Sequence, residues 1–200
     1  ADDGCGIAAE ELALAVQRHA TSKLADEQLV RIATLGFRGE ALPSIGAAAR
    51  LSITSRPRDA AEAWQIRVEG GAVTPPCPAA GPPGTRVVVT DLFFATPARR
   101  KFLKSARVEA DHAEAALRRL AFAAPATAMR LESEGRLIFD LPAQERAARV
   151  AALLGEAAAA ALLPVAAERG PWRLSGFAGA PSLHRATAAL QSLVVNGRPV

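Results

Sequence analysis

The stretch "TLGFRGEAL", residues 34–42, places one arginine between two glycines and then runs into Glu40, Ala41 and Leu42, which read as the first turn of a helix. The positive end of a helix attracts anions through its unpaired backbone N–H groups. Gly39 at that start carries no side chain to block a phosphate. Gly36 and Gly39 let the loop fold over a ligand, and Arg38 adds a charge-assisted contact. Two ordinary glycine caps around a surface arginine account for the same letters. The stretch is not a P-loop, because no G-x-x-x-x-G-K-[ST] occurs. Nor is it a Rossmann fingerprint, because the first glycine is missing and no alternating βαβ pattern follows.

Upstream, "AAEELALAVQR" (8–18) predicts a helix with Glu10 and Glu11 in its first turn and Leu12 and Val16 on an apolar face. "HATSK" (19–23) breaks that pattern, and a short helix over about 26–35 follows, with Asp26 as N-cap and Gly36 as C-terminal cap. The helix opened by Gly39 runs over about 40–48. Downstream, "RLSITSR" (50–56) and "WQIRVEG" (64–70) alternate apolar and polar residues, the pattern of an antiparallel sheet with one wet face. "GTRVVVTDLFF" (84–94) has an unbroken apolar run, Val87–Val89, and reads as a more buried strand. "PPCPAAGPPG" between them reads as a proline-rich loop. Thr96 and Pro97 start a helix expected to reach about 123, with Val108, Leu117 and Leu120 inward and Arg118 and Arg119 outward. A hairpin turning near Glu134-Gly135, a helix over about 144–161 and strands near 162–168, 171–179 and 190–196 complete the pattern. A domain boundary is expected near 142.

Half of the 200 residues are hydrophobic and 22% are charged, so a packed core is expected and wholesale disorder is excluded. The longest apolar run, 157–163, is far short of the ~20 residues of a membrane span. A net charge of +4 permits an anionic partner without requiring one. Cys5 and Cys77 fit no metal spacing and read as reduced thiols.

Three further stretches carry candidate chemistry. In "DDGCGI" (2–7), a buried carboxylate of Asp2 at a strand end accepts a hydrogen bond from an amino group such as the N6 of adenine, and Gly4 and Gly6 let the backbone approach a ligand. A plain Asp-Gly turn is the simpler alternative. Thr21, Ser22 and Lys23 group two hydroxyls and an ammonium suited to phosphate, or else form a solvated loop. Thr85 in "GTRVVV" (84–89) faces a ligand from a pocket floor, or simply starts a strand. The basic run "ARRKFLKSAR" (98–107) suits nucleic-acid phosphate as well as an ordinary helix start. His19 has no carboxylate in reach by sequence and is assigned no catalytic role; His112 and His184 read as surface or satisfied core residues.

Taken in order, "DDGCGI", "RHATSK", "LGFRGEALPSI", "LFFATPARRKFLKS" and "VVNGR" closely resemble the N-terminal region of the MutL family of DNA mismatch repair proteins, over essentially the whole chain. The pairing of "RHATSK" with "GFRGEAL" separates this resemblance from the wider gyrase, Hsp90 and histidine kinase class. It implies an α+β fold: a two-layer α/β sandwich ATPase domain over 1–142, lacking its N-terminal strand and helix, then the start of a gyrase-like second α+β domain over 143–200. It implies ATP as ligand. Asp2 would meet the adenine amino group, with Gly4 and Gly6 shaping the pocket and Thr85 behind it. Thr21, Ser22 and Lys23 would contact phosphates, and Arg38, Gly39, Glu40, Ala41 and Leu42 would surround them.

The resemblance also implies Mg2+, but the family's glutamate base and magnesium-binding asparagine belong to a helix upstream of Ala1. A lysine reaching the γ-phosphate is expected beyond Val200. The intact parent is thus expected to be an ATPase and this stretch alone inactive, since loss of a general base costs about 10²–10⁴-fold. Implied partners are DNA bound without sequence preference, through Arg198 in "VVNGR", the mismatch-recognition protein MutS, and a second copy in a homodimer. No membrane is implied, and the setting is the bacterial cytoplasm. A non-catalytic DNA-binding or dimerisation scaffold is the alternative. A related type II topoisomerase ATPase subunit is disfavoured by "RHATSK" and "TPARRKF".

Overall fold

The computed structural model describes residues 1–20, 38–184, 186 and 190–200. They form two compact units, Ala1–Leu103 and Lys104–Val200.

The first unit lays two helices on one face of an antiparallel sheet. Helix α1 is Ala9–Ala15 and α2 is Ala41–Ala48. Strands β1 (Arg50–Arg56) and β2 (Ala63–Glu69) follow, then the short β3 (Ala72–Val73) and β4 (Cys77–Ala79), and then β5 (Gly84–Thr90). The order is β3-β2-β1-β5, with β4 also paired to β2. The alternation seen in the sequence sets the register: Leu51 opposes Val68 and Ile53 opposes Ile66. These four residues join Leu12 and Val16 of the α1 segment in the core, flanked by Ile7, Leu42, Ile45 and Trp64. Each fully buried Leu or Ile contributes about 1.5–3 kcal/mol. Gly46 brings α2 close to β2, because a β-carbon there would lie 2.7 Å from Val68 Cγ1.

Two expectations for this unit need correction. Val87, Val88 and Val89 are 40%, 39% and 42% exposed, so β5 is not a buried strand. It ends the sheet order, and the helices cover β1 and β2 instead. It also stops at Thr90, where Asp91 and Phe93 take positive φ. The proline-rich loop holds β4, in which Pro78 pairs with Trp64 at the sheet edge, a place where a missing N–H is tolerated.

After β5, helix α3 is only Pro97–Arg100, and the expected long helix restarts as α4, Ala106–Ala123. Thr96 does not cap α3; its Oγ1 is buried without a hydrogen-bond partner. The break comes from Ser105, whose Oγ accepts from Val108 N, and from Glu109 Oε1, which accepts from Lys104 N at 2.8 Å. Val108 is exposed, and Arg118, expected outward, lies over the Phe139 ring with its guanidinium 5.6 Å from the centroid.

The second unit continues with the hairpin β6 (Met129–Ser133) and β7 (Arg136–Leu141), turning at Glu134-Gly135 as expected. Helix α5 (Arg146–Leu154) ends at Gly155, whose φ of 86° separates it from α6 (Glu156–Ala159), so the single helix over 144–161 is two. The hairpin β8 (Leu162–Arg169) and β9 (Trp172–Gly179) follows, then a 3-10 turn at Pro181–Leu183 and the short pair β10 (Val194–Val195) and β11 (Arg198–Pro199).

Within the second unit Arg149 ties together the segments on either side of Pro142. Its side chain is fully buried, and its guanidinium donates to the carbonyl oxygens of Ala121, Pro125, Thr127 and Pro142 at 2.8–3.2 Å. One α5 side chain therefore binds the end of α4, the loop after it and the segment at Pro142 that precedes α5. Burial pushes its pKa down, as expected of a cation removed from water with carbonyls in place of a carboxylate.

Candidate functional site

Asp2 opens the chain as a one-residue bridge to β5. Its N–H donates to Thr85 O at 2.8 Å, and Thr85 N–H donates back to Asp2 O at 3.2 Å. The carboxylate is exposed, not buried as the sequence suggested. It is nonetheless fixed, because Oδ1 accepts from Gly4 N at 3.0 Å and from Thr85 N at 3.2 Å. Among the described residues Oδ2 accepts no protein hydrogen bond.

Two glycines make this corner possible. Gly84 has φ 112°, and a β-carbon there would run into the Asp2 carbonyl. Gly6 has φ 78°, and a β-carbon there would strike the peptide joining Arg56 and Pro57.

Beneath the corner lies Ser55, a residue the sequence reading missed. It is 1% exposed and sits on the inward face of β1 after Leu51 and Ile53. Its Oγ accepts from Ile7 N at 2.8 Å and donates to Gly84 O at 3.0 Å. Its oxygen also lies 2.9 Å from Thr85 Oγ1. A hydroxyl has one proton, and that of Ser55 goes to Gly84, so Thr85 is the donor to Ser55. Thr85 therefore has only lone pairs left, and Asp2 Oδ2 is an acceptor as well. The corner is built to meet a hydrogen-bond donor. A polar residue interrupting the apolar face of "RLSITSR" was the available signal.

The second part of the site lies at the start of α2. Gly39 has φ 60°, and a β-carbon there would collide with the Ala20 backbone, its nitrogen 2.9 Å and carbonyl carbon 2.8 Å away. Only glycine lets the chain leaving α1 and the chain entering α2 touch. His19, itself at φ 63°, places Nδ1 2.9 Å from Glu40 Oε1. The carboxylate that the sequence did not offer His19 is therefore Glu40, brought beside it by the fold. Arg38 is exposed and has an interaction partner. Ala41 is exposed, while Leu42 is half-buried against the core. Thr21, Ser22 and Lys23 lie outside the described residues.

The α1 segment joins the two parts, from the Asp2 corner at its start to His19 at its end. Seven helical residues span about 10 Å. Among the described residues no group of three or more His, Cys, Asp or Glu converges to hold a metal, and no described helix is long and apolar enough to cross a membrane.

Arg198 sits in the second unit. Asn196 and Gly197 take φ 49° and 78°, a two-residue turn of the hairpin type, which pairs Arg198 with Val195. Arg198 is half-buried and has an interaction partner, so it is not the fully solvated turn arginine the sequence allows.

Comparison with known proteins agrees with this architecture. The two-layer α/β fold is of the type found in MutL ATPase domains of known structure. The structure superposes on the Aquifex aeolicus MutL ATPase domain complexed with ADP with a TM-score of 0.75 at 27% identity, covering all of this chain and 68% of that one. The N-terminal domain of a DNA repair protein gives a TM-score of 0.78 at 23% identity, covering all of this chain and 63% of that one, and shows the fold alone. Residues 150–200 match the family model "DNA mismatch repair protein, C-terminal domain". Curated DNA mismatch repair proteins MutL are 59% identical in Acidiphilium cryptum, 58% in Azorhizobium caulinodans and 54% in Paramagnetospirillum magneticum, each over all of this chain. The chain belongs to the MutL family of DNA mismatch repair proteins. It spans about a third of the length of these relatives, 33–34%.

Proposed function

We propose that this chain forms the nucleotide-binding part of an ATP-hydrolysing mismatch repair protein. The observation that carries the reading is the acceptor corner: Asp2 Oδ1 is pinned by two N–H groups, the exposed Asp2 has no protein donor on Oδ2 among the described residues, and the Thr85 hydroxyl is spent as a donor to Ser55. An exocyclic amine such as that of adenine is its complement. Arg38, Gly39 and the first turn of α2, with Thr21, Ser22 and Lys23, would take the phosphates. An elongated ligand with a base at one end and charge at the other suits a site in two parts joined by α1. The residues of this corner and of the α2 start fit the base and the phosphates of ATP, and a magnesium ion would arrive with the phosphates.

In the whole protein the reading extends to ATP hydrolysis with magnesium, to dimerisation of the N-terminal regions on ATP binding, and to DNA bound without sequence preference through Arg198. It further includes cooperation with MutS in directing strand incision, in the bacterial cytoplasm. The test is calorimetric titration of the full-length protein with a non-hydrolysable ATP analogue. Asp2→Asn keeps the Oδ1 acceptor but turns an amide N–H toward the adenine amine, and is expected to weaken binding by about 10- to 100-fold. Equal affinity of the variant and the natural protein would overturn the adenine assignment.

A further inference from the structure

The nucleotide reading of α2 leaves the contact between His19 and Glu40 without a role. Glu40 is the residue on which α2 begins, and its carbonyl accepts the Ser44 N–H of the first turn. Its side chain is 35% exposed, but Oε1 is shut off from solvent and has no aligned hydrogen-bond donor among the described residues. The group beside it is the His19 imidazole, with Nδ1 2.9 Å away. A carboxylate at the mouth of a phosphate-binding helix adds negative charge where an anion is to bind, so where that carboxylate is held, and by what, affects the anion.

We propose that His19 is a positioning residue for nucleotide binding. With Nδ1 2.9 Å from Oε1, the imidazole holds the Glu40 carboxylate back beside the junction of Ala20 and Gly39 and so limits the negative charge that Glu40 presents to the phosphates. The proposal rests on the nucleotide reading of α2. Three features set the geometry: the left-handed backbone of His19, the close packing of Gly39 on Ala20, and the start of α2 at Glu40. The imidazole is 85% exposed, so the effect is modest, as for other solvated pairs.

The test is analogue titration of the full-length protein carrying His19→Ala, His19→Asn, Glu40→Gln, and His19→Ala with Glu40→Gln. His19→Ala is expected to weaken binding by about two- to fivefold. His19→Asn, whose side-chain amide nitrogen can take the place of Nδ1 beside Oε1, is expected to restore it. In the Glu40→Gln background His19→Ala should add almost nothing, because the charge to be offset is gone. An unchanged affinity in His19→Ala, a full additional loss in the double variant, or no rescue by Asn would each overturn the proposal. Asp2→Asn is run alongside: if it too leaves affinity unchanged, the nucleotide reading has failed and this one falls with it. A response to Asp2→Asn with none to His19→Ala isolates the failure to His19.

Discussion

Ser55 and Thr85 face each other across β1 and β5 with their hydroxyl oxygens 2.9 Å apart, and every hydrogen-bonding position of Ser55 is filled: Ile7 N–H and the Thr85 hydroxyl donate to it, and it donates to Gly84 O. One buried hydroxyl thus holds the segment entering α1 and the start of β5 in a single geometry. Ser55→Ala keeps the volume nearly constant but strands the Ile7 N–H and removes the Gly84 contact. The expected cost is about 1–3 kcal/mol in denaturant unfolding, with a weaker nucleotide analogue affinity from the loosened Asp2–Thr85 bridge. A loss below about 0.5 kcal/mol would mean that water replaces the hydroxyl without penalty.

Sequence pattern disclosed the parts of this fold that depend on local chemistry. Alternation in 50–56 and 64–70 set the β1–β2 register, and Glu134-Gly135 marked the hairpin because both residues take positive φ there. What depends on position in the sheet was not legible. Val87–Val89 carry the composition of a buried strand but lie at the end of the strand order, away from both helices. The helix breaks at Ser105 and Gly155 were written in capping residues and passed over in favour of longer periodicity. For the site, Asp2, Gly4, Gly6 and Thr85 were named from sequence and the fold brings them together. Ser55 was missed because alternation was read for apolar residues only. The His19–Glu40 contact was beyond reach because its partners lie on either side of the chain segment 21–37, and their proximity depends on the packing of Gly39 against Ala20.

Arg149 is the strongest structural dependence in the second unit. Its guanidinium serves carbonyls from α4, the loop after it and the segment before α5, while its Nε lacks a partner. Arg149→Met fills much of the same volume and takes the guanidinium donor from the carbonyl oxygens of Ala121, Thr127 and Pro142, while that of Pro125 keeps the Gln144 N–H. The expected loss is at least about 3 kcal/mol in the transition that reports the second unit, because several stranded acceptors each carry a desolvation cost. Arg149→Lys should recover only part of it, since an ammonium cannot reproduce the planar fork. Hydrogen exchange at amides of α4 and α5 measures the local effect directly. Protection left intact by Arg149→Met would show that apolar packing alone joins these helices.

Arg198 offers the sharpest test of the DNA reading. The Asn196-Gly197 turn fixes it beside Val195 at the base of a tight hairpin, so its backbone position does not depend on a ligand. If its guanidinium meets a DNA phosphate in the full-length protein, Arg198→Gln removes one phosphate contact, and Arg198→Glu places a negative charge there. Binding to duplexes of unrelated sequence should weaken alike, and the slope of log affinity against log salt should become shallower by about one. Because Arg198 is half-buried and has an interaction partner, the glutamine variant is the one to compare first. A weaker affinity with an unchanged salt slope would mean that the loss comes from a disturbed hairpin, and an unchanged affinity in both variants would remove Arg198 from the DNA surface.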